Sequence, residues 1–480
     1  MCKDFLRFSI FKVQHIRIYR IQNNRDMNYQ NIRQAQKRFY HSGATRSIAF
    51  RKEQLKSLKN LIQSNEELFY DAIYKDFRKS RFETYTNELS IIYAEIDYYL
   101  KNLKRIAKPK RVRTNLTNIP GQSYIYHDPL GTVLIIGAWN YPYQLTLTPL
   151  VSAIAGGNTA IIKPSELPMH TMYLMEKLIN TNFPKEYLHV VTGAIPETTA
   201  LLALAYDKIF FTGSPKVGKI VYEAAAKQLC PVTLELGGKS PAILTPSANL
   251  KVAIKRLVWG KFLNAGQTCI APDYLYVHES IKTNVLQIIK EILEKIPYNH
   301  GADHYVSIID QRNYNRLEKM MNADKVYYKN GEHNPEKLHF APTIMSDVTW
   351  DDTVMQDEIF GPILPVLTYN DFRQVLETIN DKEKPLSAYL FSNDAKEKDA
   401  FLNILSFGGG CINDTIMHVA SEYLPFGGVG NSGTGNYHGE AGFRCFTHQK
   451  SVLKKANWGE PNLKYPPYTE NKLKWIKKVL

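Results

Sequence analysis

The sequence predicts an α/β protein built around parallel sheets, because short apolar runs alternate with helical patterns along two long stretches of its 480 residues. A second such stretch extends from Pro241 to about Ile416. Strands separated by helices in this way pair in parallel, with the helices as crossovers. The runs that we expect to be buried strands in the first stretch are Val133 to Ile136, Thr159 to Ile162, His189 to Val191 and Lys208 to Phe211.

The chain before the first strand is predicted to be helical from Gln30 to Leu103. Pro109 and residues 114–121 interrupt this pattern. The closing segment, rich in Gly, Pro, Tyr and Lys, is predicted to be an arm. The apolar side chains that recur at the three- and four-residue spacing of a helix face are Leu55, Leu58, Leu61 and Ile62, then Leu89, Ile92, Tyr93 and Ile96.

Residues 1–26 differ in pattern from the chain that follows. Arg, Lys, Phe and Ile are mixed there without a clear period, and the segment has no continuous apolar core and no small-residue cleavage site. A secretory signal is therefore not predicted. We expect a disordered arm or an extension from an upstream start; the alternative is an amphipathic targeting segment.

Composition narrows the class of protein. Apolar residues make up 44% and charged residues 22% of the chain, as in ordinary globular proteins. No apolar run approaches the roughly 18 residues of a membrane span. The five cysteines form neither a CxxC pair nor a cluster with histidine, so no disulfide framework and no metal site are predicted. The net charge of +14 comes without a nucleic-acid-binding motif, so nucleic acid is not an expected partner.

Three residues carry the candidate chemistry. Cys269 ends the run Asn-Ala-Gly-Gln-Thr-Cys, and Glu235 precedes it by 34 positions. A thiolate attacks carbonyl carbon readily, and a nearby carboxylate can activate water to release the acyl group. Asn140, between Trp139 and Tyr141, offers a side-chain amide as a donor to a developing oxyanion.

A glycine-containing junction after the fourth strand predicts an anion site. The run Phe-Thr-Gly-Ser-Pro-Lys-Val-Gly follows a buried strand and opens a helix, with Gly213, Ser214, Val217 and Gly218 at the junction. Glycines there let backbone N–H groups approach a pyrophosphate, and a helix N-terminus favours the anion. The pattern is not the GxGxxG of ordinary dinucleotide folds, and a simple tight turn is the alternative.

Together these motifs resemble the aldehyde dehydrogenase superfamily, and residues 407–414 and 446–451 are closest to its class 3, fatty-aldehyde-type branch. The resemblance runs from about residue 27 to 453. It implies an α/β fold with a Rossmann-like cofactor domain over residues 27–236. Within that range, residues 110–130 are expected to contribute to the oligomerisation arm. It further implies a catalytic domain over 237–430, and a small β-rich oligomerisation arm with the tail over 431–480.

The resemblance also implies cofactor residues. In Lys-Pro-Ser-Glu, Lys163 would bond the adenine ribose hydroxyls and Glu166 would contact the same sugar. A carboxylate that accepts from the 2′-hydroxyl favours NAD and repels the extra phosphate of NADP, although NADP could still be used. Glu358 would hold the nicotinamide ribose, and Phe360 would pack near the ring. Lys239 has two interpretations: it tunes the local charge, or it begins a helix.

The implied reaction is aldehyde oxidation through a thiohemiacetal and a thioester on Cys269. Asn140 and the Cys269 N–H would hold the oxyanion, and water activated by Glu235 would hydrolyse the thioester. A CoA-acylating relative needs no such carboxylate, so Glu235 argues against it. The second rival, a non-catalytic protein of the same fold, would be free to lose any of these three residues.

Substrate and assembly are less constrained. Aromatic residues near the site suit medium- or long-chain or aromatic aldehydes, with core packing as the alternative. Class 3 enzymes imply a homodimer, and a thiol that must stay reduced implies a cytoplasmic protein. The basic tail over residues 471–480 could contact an anionic membrane, cover a neighbouring subunit's tunnel or be a frayed end. The residues predicted to line the substrate tunnel are Trp139, Tyr141, Trp259 and Thr268.

Overall fold

The computed structural model describes residues 28–299, 301–302 and 304–479, so residues 1–26 and every expectation about them lie outside it. The helices are α1 over residues 28–41, α2 Ile48–Gln63, α3 Glu66–Phe77, α4 Arg81–Thr84, α5 Ser90–Ile106, α6 Gln144–Gly156, α7 Met169–Asn182, α8 Ile195–Leu202, α9 Pro215–Ala226, α10 Leu250–Phe262, α11 Lys282–Glu294, α12 Gln311–Met320, α13 Thr353–Gln356, α14 Phe372–Asn380, α15 Ala395–Ile404, α16 Gly439–Cys445 and α17 Glu470–Val479. The strands are β1 Lys110–Val112, β2 Gly121–Pro129, β3 Thr132–Ile136, β4 Thr159–Lys163, β5 Leu188–Val190, β6 Lys208–Thr212, β7 Val232–Glu235, β8 Pro241–Leu244, β9 Tyr274–His278, β10 Val326–Lys329, β11 Thr343–Met345, β12 Ile363–Tyr369, β13 Ser387–Phe391, β14 Gly409–Ile412, β15 Gly433–Thr434 and β16 Thr447–Lys455.

The first sheet has the strand order β15-β7-β6-β3-β4-β5, and β7 to β5 are mutually parallel. The predicted alternation of strands and helices is confirmed here. Helix α6 is buried along its whole length because α2, α5 and α16 cover it on the side away from β3 and β4. This buried helix follows Asn140 directly, so the segment that carries Asn140 is packed on all sides.

The second sheet has the order β10-β11-β12-β9-β8-β13-β14 and is parallel except for β10 at one edge. The connection from β7 to β8 joins the two sheets, and Glu235 ends β7. Parallel sheets place their ligand sites beyond the carboxyl ends of the strands. Glu235 therefore lies where one sheet ends and the chain crosses to the other.

The arm is a three-stranded antiparallel sheet of β1, β2 and β16. Strand β15 joins the first sheet, with Gly433 opposite Glu235, and α16 packs against α5 and α6. The reason is steric: a Cβ on Gly433 would lie 2.3 Å from the Leu234 carbonyl oxygen, so the glycine lets this segment close against β7. Residues 433–445 thus belong with the cofactor half of the molecule.

The N-terminal helix α1 is docked on the first sheet. The Gln36 side chain donates to the Ala160 carbonyl at 2.8 Å, and Ile32 is buried. Within the described residues, no helix combines the length and the apolar content needed to cross a bilayer.

Candidate active site

Glu235 is a buried carboxylate without a protein donor. Its side chain is 3% exposed, and neither carboxyl oxygen has a hydrogen-bond partner within the described chain. Burial raises the pKa of Glu235 well above its usual range. A carboxylate of high pKa is a stronger base once it is ionised, which suits proton abstraction from water. Its cross-strand neighbour on β6 is Thr212, whose hydroxyl likewise has no hydrogen-bond partner among the described residues.

Cys269 lies on a tightly constrained loop after α10. Asn264 and Ala265 both adopt left-handed backbone angles, with φ of 54° and 51°. Gly266 follows with φ 71°, and a Cβ there would lie 2.3 Å from the Gly361 carbonyl oxygen. Only glycine allows this approach. The Asn-Ala-Gly run therefore presses the loop of Cys269 against the loop that contains Phe360.

Gln267 holds the same loop from inside. Its side chain donates to the carbonyl oxygens of Asn264 and Ser307, each at 3.1 Å, and accepts from the Ile309 N–H at 3.0 Å. Because Gln267 is fully buried, these bonds are shielded from water. The glutamine two residues before the thiol is thus an anchor for the loop.

The electrostatic surroundings of Cys269 oppose its ionisation in the absence of a cationic ligand. Burial raises its pKa, and the carboxylates of Glu358 and Glu235 raise it further. The backbone N–H groups of Cys269 and Ile270 act in the opposite direction, since they can donate to a thiolate. A nearby positive charge would favour the thiolate in such a site.

Asn140 is held beside this loop by both its side chain and its backbone. Its side-chain nitrogen donates to the Gln267 carbonyl at 3.0 Å. Its own carbonyl accepts from Lys79 at 3.0 Å and from the Asn264 side chain at 3.1 Å. An amide nitrogen has two N–H groups, so the second N–H of Asn140 remains for a substrate oxyanion.

Tyr141 and Thr268 add a second tie between the two segments. Their hydroxyls lie 2.6 Å apart and are buried. Tyr141 directly follows Asn140, and Thr268 directly precedes Cys269. Their contact therefore joins the two segments right beside both candidate residues. The structure brings Cys269 and Asn140 to adjacent segments, and Glu235 acts on the pKa of Cys269.

The predicted adenine-side residues lie at the ends of β4 and β6. Lys163 is buried, donates to the Pro164 carbonyl at 2.7 Å and lies 3.9 Å from the Glu166 carboxylate. Burial lowers the pKa of Lys163. Ser214 caps α9 by accepting from the Val217 N–H at 3.4 Å. The Gly213 N–H donates to the Glu235 carbonyl at 3.0 Å, which links the predicted anion site to the predicted base.

Glu358 lies against the loop after β7. A Cβ on Gly237 would lie 2.0 Å from a Glu358 carboxyl oxygen, and the Gly238 N–H donates to that carboxylate. Burial, followed by the charge of Asp273, raises the pKa of Glu358 to about 8. Phe360, with φ 46°, packs edge-on against Trp139 at 5.3 Å between ring centroids.

The loop of Glu358 is fastened by residues that sequence reasoning missed. Asp273 accepts from Lys239 at 2.6 Å and from the Ile359 N–H at 2.9 Å. Lys239 also donates to the carbonyls of residues 354 and 357, at 3.1 and 2.8 Å. Arg316 donates to the Glu358 carbonyl at 3.2 Å. Lys239 is in a loop that leads into β8, so the helix-start interpretation is wrong. No sequence signal pointed to Asp273 or Arg316.

A cavity of about 1030 Å³ is lined in part by Lys79, whose ammonium donates to the Asn140 carbonyl. Trp259 lines it, whereas Trp139, Tyr141 and Thr268, the other residues predicted to line a substrate tunnel, do not. Lys79 lines the cavity and also contacts the ring of Tyr141, at 4.1 Å. Most of the other lining side chains are apolar or aromatic and include Tyr70, Phe82, Phe262, Tyr298 and Met417.

The comparison with protein families decides the identity. The model of the aldehyde dehydrogenase family matches residues 12–452. The chain belongs to the aldehyde dehydrogenase family. The predicted superfamily is thereby confirmed, and with it an enzyme that oxidises aldehydes. Within the described residues, no group of three or more His, Cys, Asp or Glu side chains could hold a metal ion.

Individual aldehyde dehydrogenases place the chain in the predicted branch. It is 46% identical to the 4,4′-diaponeurosporen-aldehyde dehydrogenase of Staphylococcus aureus, over 92% of this chain and 96% of that one. It is 43% identical to mouse aldehyde dehydrogenase family 3 member A2, over 91% of each. A solved substrate-bound AldH of Staphylococcus aureus superposes with a TM-score of 0.91, at 45% identity, over 94% of this chain and 98% of that one. The class 3 resemblance and the fold are confirmed.

Proposed function

We propose that this enzyme oxidises an apolar aldehyde, of medium or long chain or aromatic, to its carboxylic acid, with NAD as the preferred cofactor. The observation that carries the catalytic assignment is the junction of Asn140 with the loop of Cys269, beside the unpartnered carboxyl of Glu235. A nucleophile, an oxyanion donor and a base are the groups that acyl chemistry requires.

The acylation step uses Cys269 and Asn140. The Cys269 thiolate forms a bond to the aldehyde carbon, and the resulting oxyanion accepts from the Asn140 side chain and the Cys269 N–H. Each such donor lowers the barrier by about 3 kcal/mol. When the oxyanion collapses to a C=O, the C–H bond of the former aldehyde carbon breaks and hydride leaves, and bound NAD would supply the acceptor for that hydride. Cys269 then carries the acyl group as a thioester.

The deacylation step uses Glu235. Its carboxylate takes a proton from water as the water oxygen attacks the thioester carbon, and the C–S bond breaks to return the thiolate. Since both carboxyl oxygens are unoccupied by protein donors, either can serve as the acceptor. This step separates hydrolysis from acyl transfer to a thiol.

The residues present fit a dinucleotide. The N-terminus of α9 and Gly213 before it can receive a pyrophosphate. Lys163 and Glu166 would hold the adenine ribose, and Glu358 and Phe360 the nicotinamide end. The exposed carboxylate of Glu166 would repel a 2′-phosphate, which supports the preference for NAD.

The apolar cavity supports the substrate class. An aldehyde panel of graded chain length, assayed by NADH formation without CoA, should give kcat/KM values that rise with chain length. Trp259→Ala, in the cavity, should weaken this dependence, and Trp458→Ala, an exposed residue of the arm, should not. Equal kcat/KM values for short and long aldehydes would contradict the apolar assignment, and NADH formation that requires CoA would contradict hydrolysis.

We further propose a cytoplasmic homodimer joined through the arm. Strand β16 pairs only with β2 within the described chain, so a nine-residue edge stays open. Proteins seldom leave so long an edge uncovered, and a symmetric partner would close it. Light scattering should report twice the mass of one chain, and a monomer at micromolar concentration would contradict the proposal.

The terminal helix α17 supports a peripheral membrane contact. It presents an exposed Trp475 and Leu473 together with lysines 472, 474, 477 and 478. Such helices bind anionic lipid surfaces through both charge and apolar burial. The protein should co-sediment with anionic vesicles and not with zwitterionic ones, and Lys474→Glu with Lys477→Glu should abolish this. Equal binding to both vesicles would contradict it.

A further inference from the structure

A buried ion pair outside the predicted catalytic set contacts both ends of the segment that carries Asn140. The Lys79 ammonium donates to a Glu88 carboxyl oxygen at 2.6 Å, and both side chains are fully buried. Neither residue was singled out by the sequence, where both lie in the helical region before the first strand. Glu88 lies in a π-helical turn over Tyr85–Leu89, an irregularity that is frequent at functional sites.

The lysine end of the pair holds Asn140 itself. Its second donor is directed to the Asn140 carbonyl at 3.0 Å. The same ammonium lies 4.1 Å from the centre of the Tyr141 ring, and the Tyr141 hydroxyl in turn contacts Thr268. Lys79 therefore contacts both Asn140 and Tyr141, the residue whose hydroxyl bonds the loop of Cys269.

The glutamate end holds the residues that follow. The other carboxyl oxygen of Glu88 accepts from the Tyr143 N–H at 2.8 Å and from the Gln144 N–H at 3.3 Å, where α6 begins. Unpaired N–H groups at the start of a helix are commonly satisfied by a carboxylate. Together the two side chains bond the segment 140–144 at its first carbonyl and at its last two amides.

We infer that Lys79 and Glu88 are positioning residues that set the Asn140 amide for the oxyanion of the aldehyde adduct. The inference rests on the proposed role of Asn140. If these two positions served only to pack helices, a pair of apolar side chains would serve equally well. A charged pair costs desolvation and is a weak source of stability, whereas its directed bonds specify geometry.

The lysine of the pair contacts both the cavity and the segment of Asn140. Lys79 lines the cavity, and Glu83, which also lines it, is a second carboxyl close to the ammonium. The Asn140 carbonyl has one other donor, the Asn264 side chain at 3.1 Å. Without Lys79, the remaining hydrogen bonds of Asn140 described above would all be to the loop of Cys269. The Asn140 amide could then shift together with that loop.

The test uses neutral replacements of similar shape in the full-length enzyme. Lys79→Met leaves Glu88 buried without a partner and should lower the melting temperature, whereas Lys79→Met with Glu88→Gln removes both charges and should recover most of it. The inference predicts that the double variant still has a kcat at least tenfold below the parent, with the Kd for NAD unchanged. A double variant with kcat within twofold of the parent would overturn it.

A comparison of the two single variants keeps the test decisive if the double variant folds poorly. Glu88→Gln breaks the same ion pair but keeps an acceptor for the Tyr143 N–H and leaves Lys79 on the Asn140 carbonyl. It should therefore retain more kcat than Lys79→Met at a comparable loss of melting temperature. Equal losses of kcat in the two single variants would overturn the inference.

A double-mutant cycle separates the inference from the proposed function. In an Asn140→Ala background, adding Lys79→Met should lower kcat by less than twofold, because the group that Lys79 positions is gone. An equal fall of kcat with and without Asn140 would overturn the positioning role alone. Parental activity in Asn140→Ala would overturn both this role and the oxyanion assignment.

Discussion

The side-chain nitrogen of Asn140 lies 3.0 Å from the carbonyl oxygen of Gln267, two residues before Cys269. This bond joins the segment after β3 of the first sheet to the loop after α10, which leads into β9 of the second sheet. The proposed oxyanion donor is thus held by a direct contact to the loop of the proposed nucleophile. A shift of either segment would move the other.

Cys269→Ala should abolish aldehyde oxidation and leave NAD binding intact, because no other group in the site can form the thioester. Steady-state NADH formation and the Kd for NAD measure the two effects. Cys411→Ala is the matched control, since Cys411 lies on the edge strand β14 beside His418. Turnover of Cys269→Ala within tenfold of the parent would show that a different nucleophile acts.

Glu235→Gln should trap the acyl-enzyme, since oxidation to the thioester needs no base and hydrolysis does. Mixed rapidly with aldehyde and NAD, the variant should form up to one NADH per active site and then slow sharply. Mass spectrometry should find the acyl group on the chain. Steady turnover at the parental rate would mean that another group activates the water.

NAD should be preferred over NADP, because the Glu166 carboxylate lies 3.9 Å from Lys163, where the adenine ribose is expected. Glu166→Gln removes the repulsive charge and should narrow the ratio of the two kcat/KM values. Glu223→Gln, an exposed carboxylate on α9, is the control. A parent with the higher kcat/KM for NADP would refute the assignment.

Glu95→Gln should make the melting temperature less sensitive to pH. Burial raises the pKa of Glu95 from its ordinary 4.5 to about 7. The folded state therefore holds this proton more tightly than the unfolded chain, so the stability it adds is full below the unfolded pKa and is lost as pH rises towards 7. Glutamine keeps an acceptor for the Gly439 N–H that now bonds Glu95 at 2.8 Å.

Melting of the parent and of Glu95→Gln should be compared between pH of about 5 and about 8, on either side of the folded pKa. The parent should lose more melting temperature than the variant over this interval. The pKa values of Glu83 and Glu358 are also raised, so these groups add to the same pH dependence. The slope of melting temperature against pH should therefore be smaller in the variant but not zero. Identical slopes of melting temperature against pH in the parent and the variant would show that Glu95 does not titrate in this interval.

Removal of residues 1–26 should leave folding and catalysis unchanged. A chain starting at Met27 keeps α1, whose Gln36 and Ile32 dock on the first sheet. It should match the full chain in melting temperature and kcat/KM, whereas a start at residue 42 removes α1 and should lower the melting temperature. A loss of more than about 5 °C on starting at Met27, equivalent to more than roughly 1 kcal/mol, would contradict the prediction.

The sequence alone determined the features that depend on local pattern. The alternation of apolar runs and helices predicted the parallel strands β3, β4, β5 and β6, with β5 beginning one residue earlier than expected. Spacing and residue type also predicted Cys269, Glu235 and Asn140 as the catalytic residues, which stays a prediction for the variants above to test. Such motifs can be recognised in a sequence because the chemistry requires particular side chains at the ends of loops and strands.

Only the tertiary structure decided which distant residues support that chemistry. Lys79 lies 61 positions from Asn140, and Asp273 lies 86 positions from Ile359, yet each pair is hydrogen bonded. A buried lysine or aspartate has no periodic signature, since its partner is brought to it by the packing of other elements. The pairing of β15 with β7 was decided in the same way, because the lack of a side chain at Gly433 lets this glycine-rich run close on β7.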